Sequence, residues 1–371
     1  METIGVNARQ RVETTINLQE PDRVPVGPFM IWHNAVVAGV RINDYAWDVD
    51  TCFRANKKAL EFYDNGFDVM NLAPMMLAYS NINPVLYSAL YFDWRFPEDN
   101  IPQFFETTRG DETLYDTILK KGFSAVRTFS RVGAGRVIKN LTIDVIKYMR
   151  WMKVVRRQWD VVPFGDMVCY TPAEIMLFLR ATQGFVDIRK RPEKLIELNE
   201  KYNKVFIKRS IQLAKLLKTE FIFMPSLKFS TSFMNPKIFE KIQWPWYKEM
   251  AESFTAAGFK VLLHLDGDWG PLLDHFTELT PKKYVMELDV TDMKRAKKTV
   301  GHIMCIKGMV GPLTLATGTV GEVERECKQF IDDCAPGGGF ILSSGCEAPP
   351  NTKPENLRMM IKCAREYGRY R

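Results

Sequence analysis

The sequence predicts a closed (β/α)8 barrel carrying one irregular insert, and three observations support that fold class. Eight short apolar runs with strand character recur along the 371 residues, and nearly every consecutive pair is separated by a helical stretch. Alternation of this kind makes the strands parallel and the helices their crossovers. The rival architecture, an open doubly wound sheet, wants a glycine-rich turn after an early strand, and neither Trp32-His33 nor Ala73-Pro74 supplies one. Polar residues also collect just after the apolar runs, where a barrel has its binding mouth.

Taken in order, residues 6–18 read as a helix that Pro21-Asp22-Arg23 breaks. Val24–Met30 is a first short strand ending at Trp32-His33. A helix over 50–64 leads to a second strand, Phe67–Leu72, ending at Ala73-Pro74-Met75. The stretch from about 76 to 135 is irregular and rich in Pro, Asn and aromatics. Within it Phe104–Thr108 and Leu114–Leu119 alternate like a hairpin around Gly110-Asp111. A loop of this length is usually functional, here a lid or binding insert. Regular alternation then resumes: helix Leu141–Gln158, strand Val161–Gly165 ending at Asp166, and helices Pro172–Thr182 and Pro192–Leu217. Strand Phe221–Met224, ending at Pro225-Ser226-Leu227-Lys228, is followed by a helix over 236–257 interrupted near Pro245. Strand Val261–Leu265 precedes helix Pro271–Leu279, and strand Tyr284–Leu288 precedes a short helix over 291–298 with Thr291 as N-cap. His302–Lys307 is the seventh strand, 319–334 a helix, Phe340–Ser343 the eighth strand, and Pro354–Tyr367 the closing helix. The whole chain, 1–371, is expected to form one barrel domain.

Composition narrows the function. With 46% hydrophobic and 26% charged residues the chain reads as a soluble globular protein. The net charge of +7 is modest and spread out, and short clusters such as Arg189-Lys190-Arg191 read as solvated helix faces, so no nucleic-acid surface is expected. Seven scattered cysteines with no CxxC pair suit a reducing compartment. No apolar run is long enough to span a bilayer, and METIGVNARQRVET lacks the apolar core of a signal peptide. A cytoplasmic protein without membrane contact is expected, and a homodimer is compatible with the sequence.

The chemistry concentrates in Val261–Gly270. His264, Asp266 and Asp268 alternate at the end of a strand, with Gly267 permitting a sharp turn. Residues two apart on a strand share a face, so His264 and Asp266 can reach one atom beyond the strand end. Ser343-Ser344-Gly345-Cys346-Glu347 follows another apolar run. If the two strand ends are neighbours, His264, Asp266 and Cys346 offer an imidazole, a carboxylate and a thiolate, a three-ligand zinc site with an open position. The blander readings are a hydrogen-bonded structural histidine, a turn in which Asp266 and Asp268 take backbone N–H bonds, and an inert packed cysteine. Asp268 and Glu347 are the candidate catalytic groups beside the metal. Trp32, His33, Asp166 and Lys228 are the candidate substrate contacts, with Glu287, Asp289 and Lys307 at further strand ends. Cys305, Cys327, Cys334 and Cys363 read as packing, and His275 and His302 as uninvolved.

Three stretches together resemble the uroporphyrinogen decarboxylase superfamily: Arg11 through Pro21-Asp22-Arg23-Val24-Pro25-Val26; Gly308 to Leu315 followed by Gly318-Thr319-Val320-Gly321-Glu322-Val323; and Gly339 through Cys346 to Pro354-Glu355-Asn356-Leu357. The resemblance covers nearly the whole chain apart from the insert, and the fold it implies is the same barrel. The decarboxylase's arginine-rich segment after the first strand reads here Met30-Ile31-Trp32-His33-Asn34-Ala35, without arginine. The cobalamin-dependent methyltransferase branch fits better. Its zinc is held by a His-x-Cys pair and a later cysteine; His264 and Cys346 match, and Asp266 stands in place of the first cysteine. A carboxylate in place of a thiolate makes the zinc harder, suited to an ether or phenolate oxygen rather than a thiol. The resemblance therefore implies zinc-assisted O-demethylation of a small methyl donor, such as a methoxylated aromatic, with the methyl passed to cobalamin on a corrinoid protein. Transfer from a methylcorrinoid to a thiol, a metal-free carboxy-lyase using Lys228 and Lys307, and a non-catalytic corrinoid-binding protein are the alternatives.

Overall fold

The computed structural model of the chain describes residues 5–72, 101, 110–123, 125, 140–165 and 167–370. Strand β1 (Val69–Met70) pairs in parallel with β2 (Val162–Pro163). The same stretch of chain continues into β3 (Met167–Val168), which opens a parallel ladder through β4 (Phe221–Ser226), β5 (Lys260–Leu265), β6 (Tyr284–Leu288), β7 (Cys305–Val310) and β8 (Phe340–Ser344). Residues 24–27 fill the gap between the two ends. Val26 bridges Leu342 in parallel, the Leu342 and Gly27 N–H groups donate to Pro25 O and Leu342 O at 2.9 Å each, and Asp68 N–H donates to Val26 O at 2.7 Å. Eight extended segments thus follow one another round a ring, with helices outside, as the alternation predicts. Every residue of β4, β6 and β8 is buried, because one face packs into the barrel and the other against helices.

Local sequence sets the element ends. Helix Val320–Cys334 starts on a capping box, Thr319 taking the N–H of Glu322 while the Glu322 carboxylate takes that of Thr319. Helix Pro192–Leu217 has proline in its first turn and ends where Lys218 turns left-handed. At the base of the ring, the Asp68 carboxylate gathers Arg11, Arg23 and the Val26 N–H, all at 2.7–2.8 Å. It thereby ties the first segment to β1. Among the described residues no helix is long and apolar enough to cross a membrane.

Several expectations need correction. Leu114–Leu119 is not half of a hairpin but lies within helix Thr113–Lys121. Leu114 and Ile118, and Tyr115 and Leu119, are four apart and form one buried face, while Asp111 Oδ1 accepts the Thr113 N–H at 2.9 Å. Phe104–Thr108, with most of the 76–135 insert, lies outside the described residues. The seventh strand runs from Cys305 to Val310, not from His302 to Lys307, which leaves His302 in a turn and moves Lys307 from the strand end to its interior. Asp292, not Thr291, caps helix Met293–Val300; the Thr291 hydroxyl accepts the Trp269 N–H instead. Helix Thr182–Lys190 had no sequence expectation.

Candidate metal centre

Strand β5 builds the site by alternation. Val261, Leu263 and Leu265 are fully buried, and His264 points to the opposite face. Register places His264 opposite Glu287 of β6, and Glu287 opposite Lys307 of β7. The three form one polar row inside the barrel. His264 Nδ1 lies 2.7 Å from Glu287 Oε2, Lys307 Nζ bonds Glu287 Oε1, and the same ammonium donates to Ser343 Oγ of β8 at 2.7 Å. The rings of Phe29 and Phe223 flank the imidazole, with centroids 5.3 and 5.0 Å away.

Beyond β5 the chain turns sharply at Gly267, where φ is +84°. A Cβ there would stand 2.5 Å from Ser230 Oγ and 2.7 Å from Ser232 Oγ, so the turn demands glycine twice over. Asp266, just before the turn, returns its carboxylate toward His264, Oδ1 lying 3.0 Å from Nε2. Gly345 lets the end of β8 pass close to Asp289, whose carbonyl oxygen is 3.0 Å from where a Cβ would be. Cys346 then comes to 3.7 Å from Asp266 Oδ1. One ligand atom from each of His264, Asp266 and Cys346 lies within 4.8 Å of the other two.

That donor set fits a divalent cation. A tetrahedral zinc with ordinary bond lengths spaces its donors about 3.3–3.7 Å apart, so only small movements separate these three from a ligand cage. The His264 side chain is 6% exposed and that of Asp266 31%, which leaves one side of the cluster open. The outward Nδ1 bond to a buried carboxylate is the arrangement that fixes a metal-bound imidazole.

The surrounding charges and burial keep His264 and Cys346 protonated until a cation competes for them. Burial alone would lower the pKa of His264, but the Asp266 charge and bonds to Asp266, Cys346 and Glu287 raise it well above the ordinary histidine value. Against its own burial, Asp266 is held low by His264, the Cys346 thiol and the charge of Lys228. Burial pushes the Cys346 thiol up, with His264 working against it. Glu287 is held low despite burial, by Lys307 and His264. Burial raises the Glu347 carboxyl to about 7.

The structure disperses the other candidates. Asp268 does not face the cluster: its Oδ1 accepts the Gly270 N–H at 2.8 Å and its carbonyl takes Thr231, the turn role rather than a catalytic one. Glu347 lies beside Cys346, its Oε1 accepting the Trp32 N–H at 3.2 Å. Trp32 and His33 are not strand-end residues but open helix Trp32–Ala38. Trp32 packs on Tyr45, and buried His33 bonds Tyr63 OH at 2.6 Å and Pro350 O at 3.1 Å, so neither side chain lines the mouth as expected. Asp166 lies outside the described residues. Lys228 stands over Phe178 and Phe233, 5.8 Å from each ring centre. Glu174, unread in the sequence, is fully buried and accepts the N–H groups of Leu227 and Lys228 at 2.8 and 2.9 Å, which pins the end of β4. Its place three residues after Thr171 looks like a capping box, and only the distant loop gives its carboxylate another use.

Comparisons with known proteins extend this picture. The family model described as uroporphyrinogen decarboxylase matches residues 170–367, more than half of the chain. A methylcobamide:CoM methyltransferase, MtaA of Methanosarcina barkeri, is 24% identical over 140 residues, which is 37% of this chain and 39% of that protein. The match thus spans about two fifths of that relative's length. A methyltransferase from Methanosarcina mazei superposes with a TM-score of 0.71 at 15% identity, covering 97% of this chain and 99% of that one. It shares the fold.

Proposed function

The chain belongs to the uroporphyrinogen decarboxylase family, and from that premise we propose that it is a corrinoid-dependent methyltransferase that demethylates a methyl ether at a zinc centre. The observation that carries the reading is the convergence of His264 Nε2, Asp266 Oδ1 and Cys346 Sγ on one half-open point at the barrel mouth. The names of the two relatives, a methylcobamide:CoM methyltransferase and a methyltransferase, support the reaction class.

His264, Asp266 and Cys346 would hold the zinc, which when bound supplies a Lewis-acid contact to the substrate oxygen. To serve as ligands, Cys346 gives up its thiol proton and His264 presents a bare Nε2, with Nδ1–H donated to Glu287. Phe29 and Phe223 shield the imidazole from water. A reduced corrinoid carried by a partner protein would supply the electron pair for the new bond to the methyl carbon, and the ether oxygen would leave with the pair of the broken C–O bond. Glu347, with a carboxyl near 7, is suited to hand that oxygen a proton. Lys228 supplies a cation beside the centre for an anionic substrate group. The expected substrate is a small methoxylated aromatic and the expected setting cytoplasmic; all seven cysteines are free.

The competing reading is methyl transfer from a methylcorrinoid to a thiol, favoured by the name of the curated relative. Both are tested together. Metal content is measured on purified protein, and methyl transfer is followed optically with cob(I)alamin plus methoxybenzoates and with methylcobalamin plus a small thiol. One zinc per chain and turnover in the first assay are expected, with His264→Ala and Cys346→Ser losing roughly 100-fold or more. Full activity in the metal-free protein or in His264→Ala overturns the reading. Turnover only with the thiol selects the alternative.

A further inference from the structure

Lys307 is a buried ammonium, 1% exposed, in the middle of β7. Burying a charge there is costly unless it is paired, and an apolar side chain of the same length would fill the space without that cost. Its partners are specific. It bonds Glu287 Oε1 on one side and Ser343 Oγ at 2.7 Å on the other, while Glu287 Oε2 lies 2.7 Å from His264 Nδ1. Register aligns His264, Glu287 and Lys307 across three adjacent strands, so the contacts follow from the sheet itself.

We propose that Lys307 is a positioning residue for the candidate metal centre: by gripping one carboxylate oxygen of Glu287, with Ser343 steadying the ammonium, it turns the other oxygen onto His264 Nδ1 and aims Nε2 at Asp266 and Cys346. The ion pair also cancels its own charge. The negative charge met by a cation is then that of Asp266 and a Cys346 thiolate, two units matched to a divalent ion. The inference about zinc rests on the metal reading above; the alignment of His264 does not.

The test uses full-length protein labelled with [15N]histidine, which is tractable because the chain holds four histidines. The Nδ1–H proton of His264 is observed by NMR with and without zinc, and zinc affinity is measured by competition with a chromophoric chelator. Wild type should show a slowly exchanging, downfield Nδ1–H in both states. Lys307→Met should lose or displace it in both, and bind zinc roughly 10- to 100-fold more weakly. The double variant Glu287→Gln/Lys307→Met removes the lone buried charge but not the loss of the grip, so it should stay nearly as weak as Lys307→Met; recovery of the signal and affinity would show that only the unpaired charge mattered and would overturn the proposal. If Lys307→Met does not fold, Ser343→Ala, which keeps both charges, decides by the same two readouts. A wild-type Nδ1–H resonance and wild-type zinc affinity in whichever variant folds overturns the proposal. If zinc moves no His264 resonance in wild type, the metal reading fails, and the metal-free spectra still decide on Lys307.

Discussion

Asp266 is the residue on which the character of the centre turns. Among the described residues it brings the one carboxylate to the cluster, and its Oδ1 is the atom that both His264 and Cys346 approach. Replacing it by cysteine exchanges a hard donor for a soft one in the same place. Asp266→Cys is expected to bind zinc roughly tenfold or more tightly and to favour a thiol over an ether oxygen. Chelator competition together with the two methyl-transfer assays checks both, and unchanged substrate preference would show that the donor set does not choose the substrate. His264, Asp266 and Cys346 could be read from the sequence because strand alternation and a glycine turn are local signals. For Asp268 the same spacing leaves a catalytic and a turn role open, and its bonds to Gly270 and Thr231 support the turn. Glu174 and the depth of Lys307 depend on residues about 50 and 20 positions away, and no local pattern carries them.

At the scale of elements, the tip of β5 is the most constrained piece. Gly267 has a positive φ and two serine hydroxyls where a side chain would begin. Gly267→Ala is expected to cost about 1–3 kcal/mol in backbone strain alone, and to weaken zinc binding because the Asp266 carboxylate shifts with the turn. Urea denaturation and chelator titration measure the two effects; unchanged values in both would mean that the serines yield freely. Most strands and long helices were legible because their apolar periods are clear. Helix Thr113–Lys121 is legible in the sequence against the hairpin expectation, because its apolar residues at 114, 115, 118 and 119 share one helical face and split evenly between the two faces of a strand.

For the molecule as a whole, Glu174 ties stability to pH. Burial pushes its carboxyl up to about 7, although the Leu227 and Lys228 N–H groups work against that rise. The folded state therefore holds a proton that the unfolded chain has released between about pH 4.5 and 7. The unfolded state binds fewer protons in that window, so stability falls as pH rises through it, by on the order of 3 kcal/mol, and levels off above. Glu174→Gln keeps an acceptor for both N–H groups and should flatten this slope and raise the melting temperature at pH 8. An unchanged slope would mean that the carboxylate is charged throughout.

The seam of the ring joins residues made far apart in time. Phe29 N–H bonds Ser344 Oγ and Trp32 N–H bonds Glu347 Oε1, each across 315 positions of chain. On the ribosome the opening segment waits for its last neighbour until β8 has emerged, with one edge bare meanwhile. Cys346 arrives on that same late segment. A nascent chain therefore lacks the one sulfur of the cluster found among the described residues until the ring is ready to shut, so under the proposed function a cation could be held only once the barrel is complete.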